Sequence, residues 1–386
     1  MITGSLRAAA GMLLFLLSNA ALAEDTNFTT SHFSGSGNCA MCHDGLTDTA
    51  GENVSIVRDW GSSMMANSAK DPFWRAKVAT ELERNSSLAP VIKDKCTQCH
   101  APMANYESDG KTEILGEKGL LDSSHPLHDA AMNGVSCTYC HQIENTASLG
   151  TLEGFSGEVE ISDDKVTFGQ YSDPLQQPMI NQVGFTPLYG EHMSDSRLCA
   201  SCHNLKTPFV DANGNLASST PESEFPEQMP YTEWENSIFS DTGSNPTSCQ
   251  ECHMPVTSSK ISTRPSTLPV RENFAKHRFS GANTVMLTLL RDNAVALDVD
   301  VTSIDANITR SREMLQNAGY RTFGAVNNSQ VGALTGLARG HQSFHEVWRG
   351  IKSKNVVERG VRFLVRRFQD WRGLLIGTNS DTSFLF

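Results

Sequence analysis

The chain has 386 residues, 39% of them hydrophobic and 19% charged, with a formal charge of −12. An acidic balance argues against nucleic acid and for basic or metal-bearing redox partners. Ten cysteines dominate the reading, because they come in pairs of fixed spacing.

Arg7 precedes the apolar run AAAGMLLFLLSNAALA, which ends in an Ala-x-Ala pattern at Ala21 and Ala23. That reads as a secretory signal peptide over residues 1–23, cleaved before Glu24. The run is short for a membrane span, and no later segment reaches spanning length. A periplasmic or extracellular protein without a transmembrane anchor is expected.

The first C-x-x-C-H motif holds Cys39, Cys42 and His43, with His32 seven residues ahead of it. Trp60, Phe73 and Trp74 would pack either on a haem face or in the ordinary core. Asp71 as cap and Pro72 at the first position predict a helix running to Asn85. The second motif, Cys96, Cys99 and His100, follows. His125 and His128 precede the third, formed by Cys137, Cys140 and His141.

Residues 150–187 are rich in Gly, Asp, Ser and Pro, with short alternating pieces GEVEIS and KVTFG. They predict a small hairpin or a long loop over the haem core. His192 leads into the fourth motif, Cys199, Cys202 and His203. DANGN, from Asp211, resembles part of a calcium loop but lacks the terminal Glu, so a plain turn is expected.

The fifth motif holds Cys249, Cys252 and His253, between Pro- and Ser-rich linkers or wrapping loops at 217–230 and 255–269. His277 follows, and residues 24–280 are taken as one haem domain. Residues 281–318 predict two helices, the second with Thr302 and Asp305 as a capping box and Gly319 as its stop. From Gly319 the last 68 residues carry ten Lys and Arg against four Asp and Glu. This basic tail, 319–386, is read as a docking element or as a segment foreign to the domain, for example through a reading-frame change.

Five C-x-x-C-H copies use all ten cysteines. The pattern is that of covalent haem c attachment: two thiols tether the porphyrin and the adjacent histidine ligates iron. A redox dithiol would want one C-x-x-C beside a βαβ unit. Zinc knuckles need no histidine directly after the second cysteine, and a disulfide framework leaves the five histidines unexplained. The cofactors expected are five covalently bound haem c groups. The motifs recur at intervals of 57, 41, 62 and 50 residues, too uneven for a solenoid. Five buried macrocycles replace much of the side-chain core. The fold class expected is mainly α with long loops, built around stacked haems, with little β structure.

Function then turns on the sixth ligand. Two axial protein ligands close an iron to substrate; one leaves it open. His32, His125, His128, His192 and His277 are five candidates for five irons. His125 and His128 either serve two irons, or one of them is a hydrogen-bonding or proton-relay residue. Met64, Met65 and Met254 are further candidates, with core packing the default for methionine. No motif ends in Lys.

HPLHDAAMNGVSCTYCHQI, SDSRLCASCHN, KCTQCHAPMA, and CQECHMP followed by HRFSGAN resemble the multihaem cytochromes c related to the tetrahaem electron carrier of ammonia oxidisers. Their wider group includes hydroxylamine oxidoreductase and octahaem nitrite and tetrathionate reductases. The resemblance covers roughly residues 30–318. It implies closely stacked haem pairs and distal histidines at His125 or His128, His192 and His277. Five motifs, and no tyrosine assignable as a haem cross-link, set this chain apart from the enzymes. Some relatives continue into a β-sandwich, which the tail does not resemble. The expectation is an exported pentahaem electron carrier with redox partner proteins. Two alternatives stand beside it. One is a reductase of small nitrogen or sulfur oxyanions with one open haem. The other is a subunit of a cytochrome filament or larger complex, with His32 ligating a haem of the next copy.

Overall fold

The computed structural model describes residues 26–317 apart from 212, 214, 218 and 219, together with two short strands beyond them. The expected signal peptide, Gly319, His341 and most of the tail lie outside the described residues. Among those described, no helix is long and apolar enough to cross a membrane.

The first motif ends helix α1 (Ser36–His43), followed by α2 (Ile56–Gly61). Helix α3 (Pro72–Arg84) starts where expected: Pro72 takes the first turn and the Asp71 carboxylate accepts the Phe73 N–H at 2.8 Å. Helix α4 (Ala89–His100) carries the second motif, and α5 (Pro102–Ser108) packs on it. Two short helices, α6 (His128–Met132) and α7 (Cys137–Cys140), bring in the third motif. The link between them needs a glycine. Gly134 sits at φ +58°, and a Cβ there would come within 2.5 Å of the Met65 carbonyl. The close approach lets Val135 donate to Met65 O at 3.0 Å while the Trp60 indole donates to Val135 O at 2.9 Å.

The 150–187 segment is not a hairpin. Strand β1 (Val166–Gly169) runs parallel to β2 (Thr186–Tyr189), with α8 (Gln176–Val183) crossing between them. Helix α9 (Ser196–His203) carries the fourth motif, and β3 (Leu205–Thr207) pairs antiparallel with β4 (Phe225–Gln228). Between these strands Asp211 accepts the N–H groups of Asn213 and Asn215, at 2.8 and 2.9 Å, making the plain turn. Helix α10 (Pro230–Glu235) precedes α11 (Cys249–His253), whose Ser248 and Glu251 form a capping box.

Strands β5 (Val256–Ser259) and β6 (Arg271–Ala275) are antiparallel. The intervening chain is a wrapping loop, as its composition suggested. It returns to the first motif, where Thr263 N–H donates to Cys42 O at 2.8 Å. Beyond it lie α12 (Thr284–Asp292), a short α13 (Ala294–Leu297) and α14 (Ile304–Asn317). The expected Thr302–Asp305 box gives way to other partners: Thr302 donates to Asp300, and Asp305 pairs with Arg291 at 2.6 Å. Strands β7 (Phe323–Val326) and β8 (Ser343–Glu346, which includes His345) run parallel.

Among the described residues the fold is mainly α with small two-stranded sheets only. Its side-chain core is divided. The largest cluster, including Phe33, Trp74, Met103 and Tyr139, surrounds the second and third motifs. A second joins α12 and α14 through Leu287, Leu290, Ile304 and Ile308, with Met64 against it. Met65 packs on the first cluster, so both methionines serve packing. Phe73 is exposed, whereas Trp60 and Trp74 are buried.

A charged seam crosses from the first motif's loop to β6. Lys276 pairs with Glu52 at 2.6 Å and Asp48 at 3.7 Å, and Arg278 also binds Glu52. The hydrogen bond from Lys276, with help from Arg278, holds the Glu52 carboxyl below its ordinary value. A depressed carboxyl contributes stability above its unfolded value of about 4.3, lost as pH falls through the folded one. The thermal midpoint should therefore decline on acidification from about pH 5 to about pH 3, and less so in Glu52→Gln. Equal pH slopes for the two proteins would count against this linkage.

Candidate haem-binding site

Each motif closes a helix or lies within one turn of its end, so both thiols and the imidazole project from a single turn. All ten cysteines are free of disulfides. Burial pushes the Cys96 and Cys140 thiols up to about 12, the reverse of what a reactive dithiol requires in the second and third motifs, whereas Cys199, beside Cys249, lowers that thiol to about 7. Among the described residues no three His, Cys, Asp or Glu side chains converge as a zinc site would demand. The donor chemistry suits covalent haem instead.

Four of the five motif histidines share one wiring. His43 Nδ1 donates to Ile261 O at 2.8 Å, His100 to Ser68 O at 3.1 Å, His141 to Phe168 O at 2.6 Å and His253 to Ser280 O at 2.7 Å. A carbonyl on Nδ1 fixes the tautomer and leaves the Nε2 lone pair for a metal. Burial lowers the pKa of His43 and His141, and takes His100 down to about 4. Each is therefore neutral, as ligation requires. Trp74 lies flat on His100, centroids 4.8 Å apart and planes 10° from parallel. Of the aromatics singled out, it is the one stacked on a motif histidine.

The thiols meet across motifs. Cys39 lies beside Cys137, Cys99 beside Cys202, and Cys199 beside Cys249. Motif one thus adjoins motif three, two adjoins four, and four adjoins five. Asn133 helps to lock the first of these pairs. Its Oδ1 accepts Ser36 N–H at 3.1 Å and Ser136 Oγ at 2.7 Å, and its Nδ2 donates to Ser36 Oγ at 3.0 Å.

The remaining histidines divide by geometry. The His277 ring faces that of His141, centroids 6.2 Å apart and planes 23° from parallel. Its Nδ1 donates to Ala275 O at 2.9 Å, leaving Nε2 free. Burial first, then the charge of His141, lowers its pKa to about 3. His128 Nδ1 likewise donates to Leu120 O at 2.9 Å. His125 Nδ1 instead accepts the Leu127 N–H at 3.0 Å, which puts the ring proton on Nε2. His192 is 1% exposed; its Nε2 donates to Ile143 O at 2.8 Å, while Nδ1 has no hydrogen-bond partner. His32 is partly exposed and tied to Glu107, its Nδ1 at 3.2 Å from the carboxylate and its backbone N–H at 2.9 Å.

Sequence reasoning missed Asn133 and the carbonyls of Ser68, Phe168, Ile261 and Ser280. Every residue has a carbonyl, so no residue type could have marked them.

Residues 38–142, spanning the first three motifs, match the family model described as cytochrome c554 and c-prime. No curated protein and no solved structure matches the chain. Together with the paired cysteines and the neutral imidazoles beside them, this match over part of the chain supports a c-type cytochrome that binds haem covalently and works in electron transfer.

Proposed function

We propose that the chain is an exported pentahaem electron carrier with mostly bis-histidine haems. The observation that carries the reading is the 6.2 Å between the His141 and His277 centroids. Two imidazoles holding one metal between them would have centroids roughly 6.2 Å apart, and His141 and His277 have that spacing. Both rings have their Nδ1 engaged with a carbonyl, so both offer Nε2. His277 would thus close the third iron to substrate.

Bound haem supplies the one-electron iron couple; the chain supplies tether, ligand and spacing. The attachment cysteines are Cys39 and Cys42, Cys96 and Cys99, Cys137 and Cys140, Cys199 and Cys202, and Cys249 and Cys252. His43, His100, His141, His203 and His253 are the proximal ligands. His128 suits distal ligation better than His125, whose Nδ1 is taken by a backbone N–H. His192 would present Nδ1, its Nε2 being engaged. The thiol contacts support a haem order of one beside three and two beside four, with five beside four. His32 is tied within its own chain by Glu107, which favours a self-contained carrier over a filament subunit.

Peptide mass and the reduced pyridine spectrum should give five haems per chain, one on each motif. The dithionite-reduced spectrum should not change under carbon monoxide. A response from one haem in five would replace the carrier reading with that of a reductase having an open iron.

A further inference from the structure

We propose that Asn307, on α14, is a positioning residue for the fifth haem, acting through Ser280 on the proximal His253. The inference rests on the five-haem reading. His253 Nδ1 donates to Ser280 O at 2.7 Å, and the Ser280 hydroxyl donates to Asn307 Oδ1 at 2.7 Å. Asn307, 1% exposed, also donates from Nδ2 to Ser62 O at 2.9 Å and to Arg278 O at 3.4 Å. Its amide therefore clamps the His277–Ser280 turn against the chain leaving α2.

The turn needs a clamp. Phe279, just before Ser280, stands at φ +45°, a left-handed conformation costly for a bulky residue. Without Asn307 the Phe279–Ser280 backbone can relax towards negative φ, and the Ser280 carbonyl turns with it. That carbonyl sets the basicity of the His253 imidazole. A ligating histidine that donates its other N–H is a stronger donor to the metal. The hydrogen bond thus favours ferric iron and lowers the potential. A helix beyond the last cysteine, and outside residues 38–142, would in this way tune the haem of the last motif.

The test is a redox titration of the full haem-loaded chain, with the five haems resolved by electron paramagnetic resonance. Asn307→Ala should raise one potential by a roughly tenfold change in the reduction equilibrium, ~59 mV for one electron, and leave the other four unmoved. Ser280→Ala removes only a hydroxyl and should shift the same haem in the same direction. Ser280→Thr, which keeps the hydroxyl, should restore it. Five unmoved potentials in both alanine variants, or five that move together, would overturn the proposal. A native chain whose Cys249–His253 peptide carries no haem would instead sink the five-haem reading on which the proposal stands.

Discussion

Replacing His277 with alanine is expected to add one equivalent of carbon monoxide binding per chain, read in the Soret band of the reduced protein. His277 is paired with His141 at the separation of two axial imidazoles, and both rings are held by carbonyls of their own surroundings. The buried site has no charge to lose, since burial keeps His277 neutral. Alanine would leave the iron with one protein ligand, open to a small diatomic ligand. Added imidazole should close it again. If carbon monoxide uptake matches that of the unaltered chain, the His141–His277 pairing is wrong.

Asn133→Ala should cost on the order of 2–4 kcal/mol of stability, without touching any cysteine or histidine. Three hydrogen bonds disappear, and the Ser36 N–H and Ser136 hydroxyl lose their shared acceptor. All three residues are almost fully buried, at 3%, 3% and 1% exposure for Asn133, Ser36 and Ser136. Water cannot replace what is lost, so the desolvation cost remains. Because these bonds join the start of α1 to the entry of α7, the Cys39–Cys137 pair should loosen as well. Denaturant unfolding of the haem-loaded protein measures the effect. A change below about 0.5 kcal/mol, the range of ordinary surface substitutions, would show that other contacts hold the two motifs together.

Local signals were legible in the chain. Asp71 and Pro72 mark the start of α3 because capping and fixed φ act within one turn. The DANGN turn is similarly local. The small β pairings were less so. KVTFG was expected in a hairpin or loop but pairs in parallel with Thr186–Tyr189, across a helix. Parallel pairing needs a crossover, and no short-range signal announces it. Thr302 and Asp305 had the right spacing for a box, yet Asp300 and Arg291 compete for them.

The candidate site divides along the same line. The proposed attachment cysteines and proximal histidines follow from spacing alone, because one helical turn would have to carry tether and ligand. Such chemistry is covalent and local, so the motifs in the sequence are enough to propose it. Which motifs adjoin, which histidine faces His141, and which carbonyls hold the ligands are decided only by tertiary contacts. The wrapping loop between β5 and β6 is the clearest case. It brings Ile261 to His43, 218 residues away in sequence, and the chain then continues to His277 and Ser280. The sequence by itself pointed to covalent haem and to the side chains that would hold it. The fold decided how those atoms face one another, since packing and hydrogen bonding at long range leave no periodic trace in the chain.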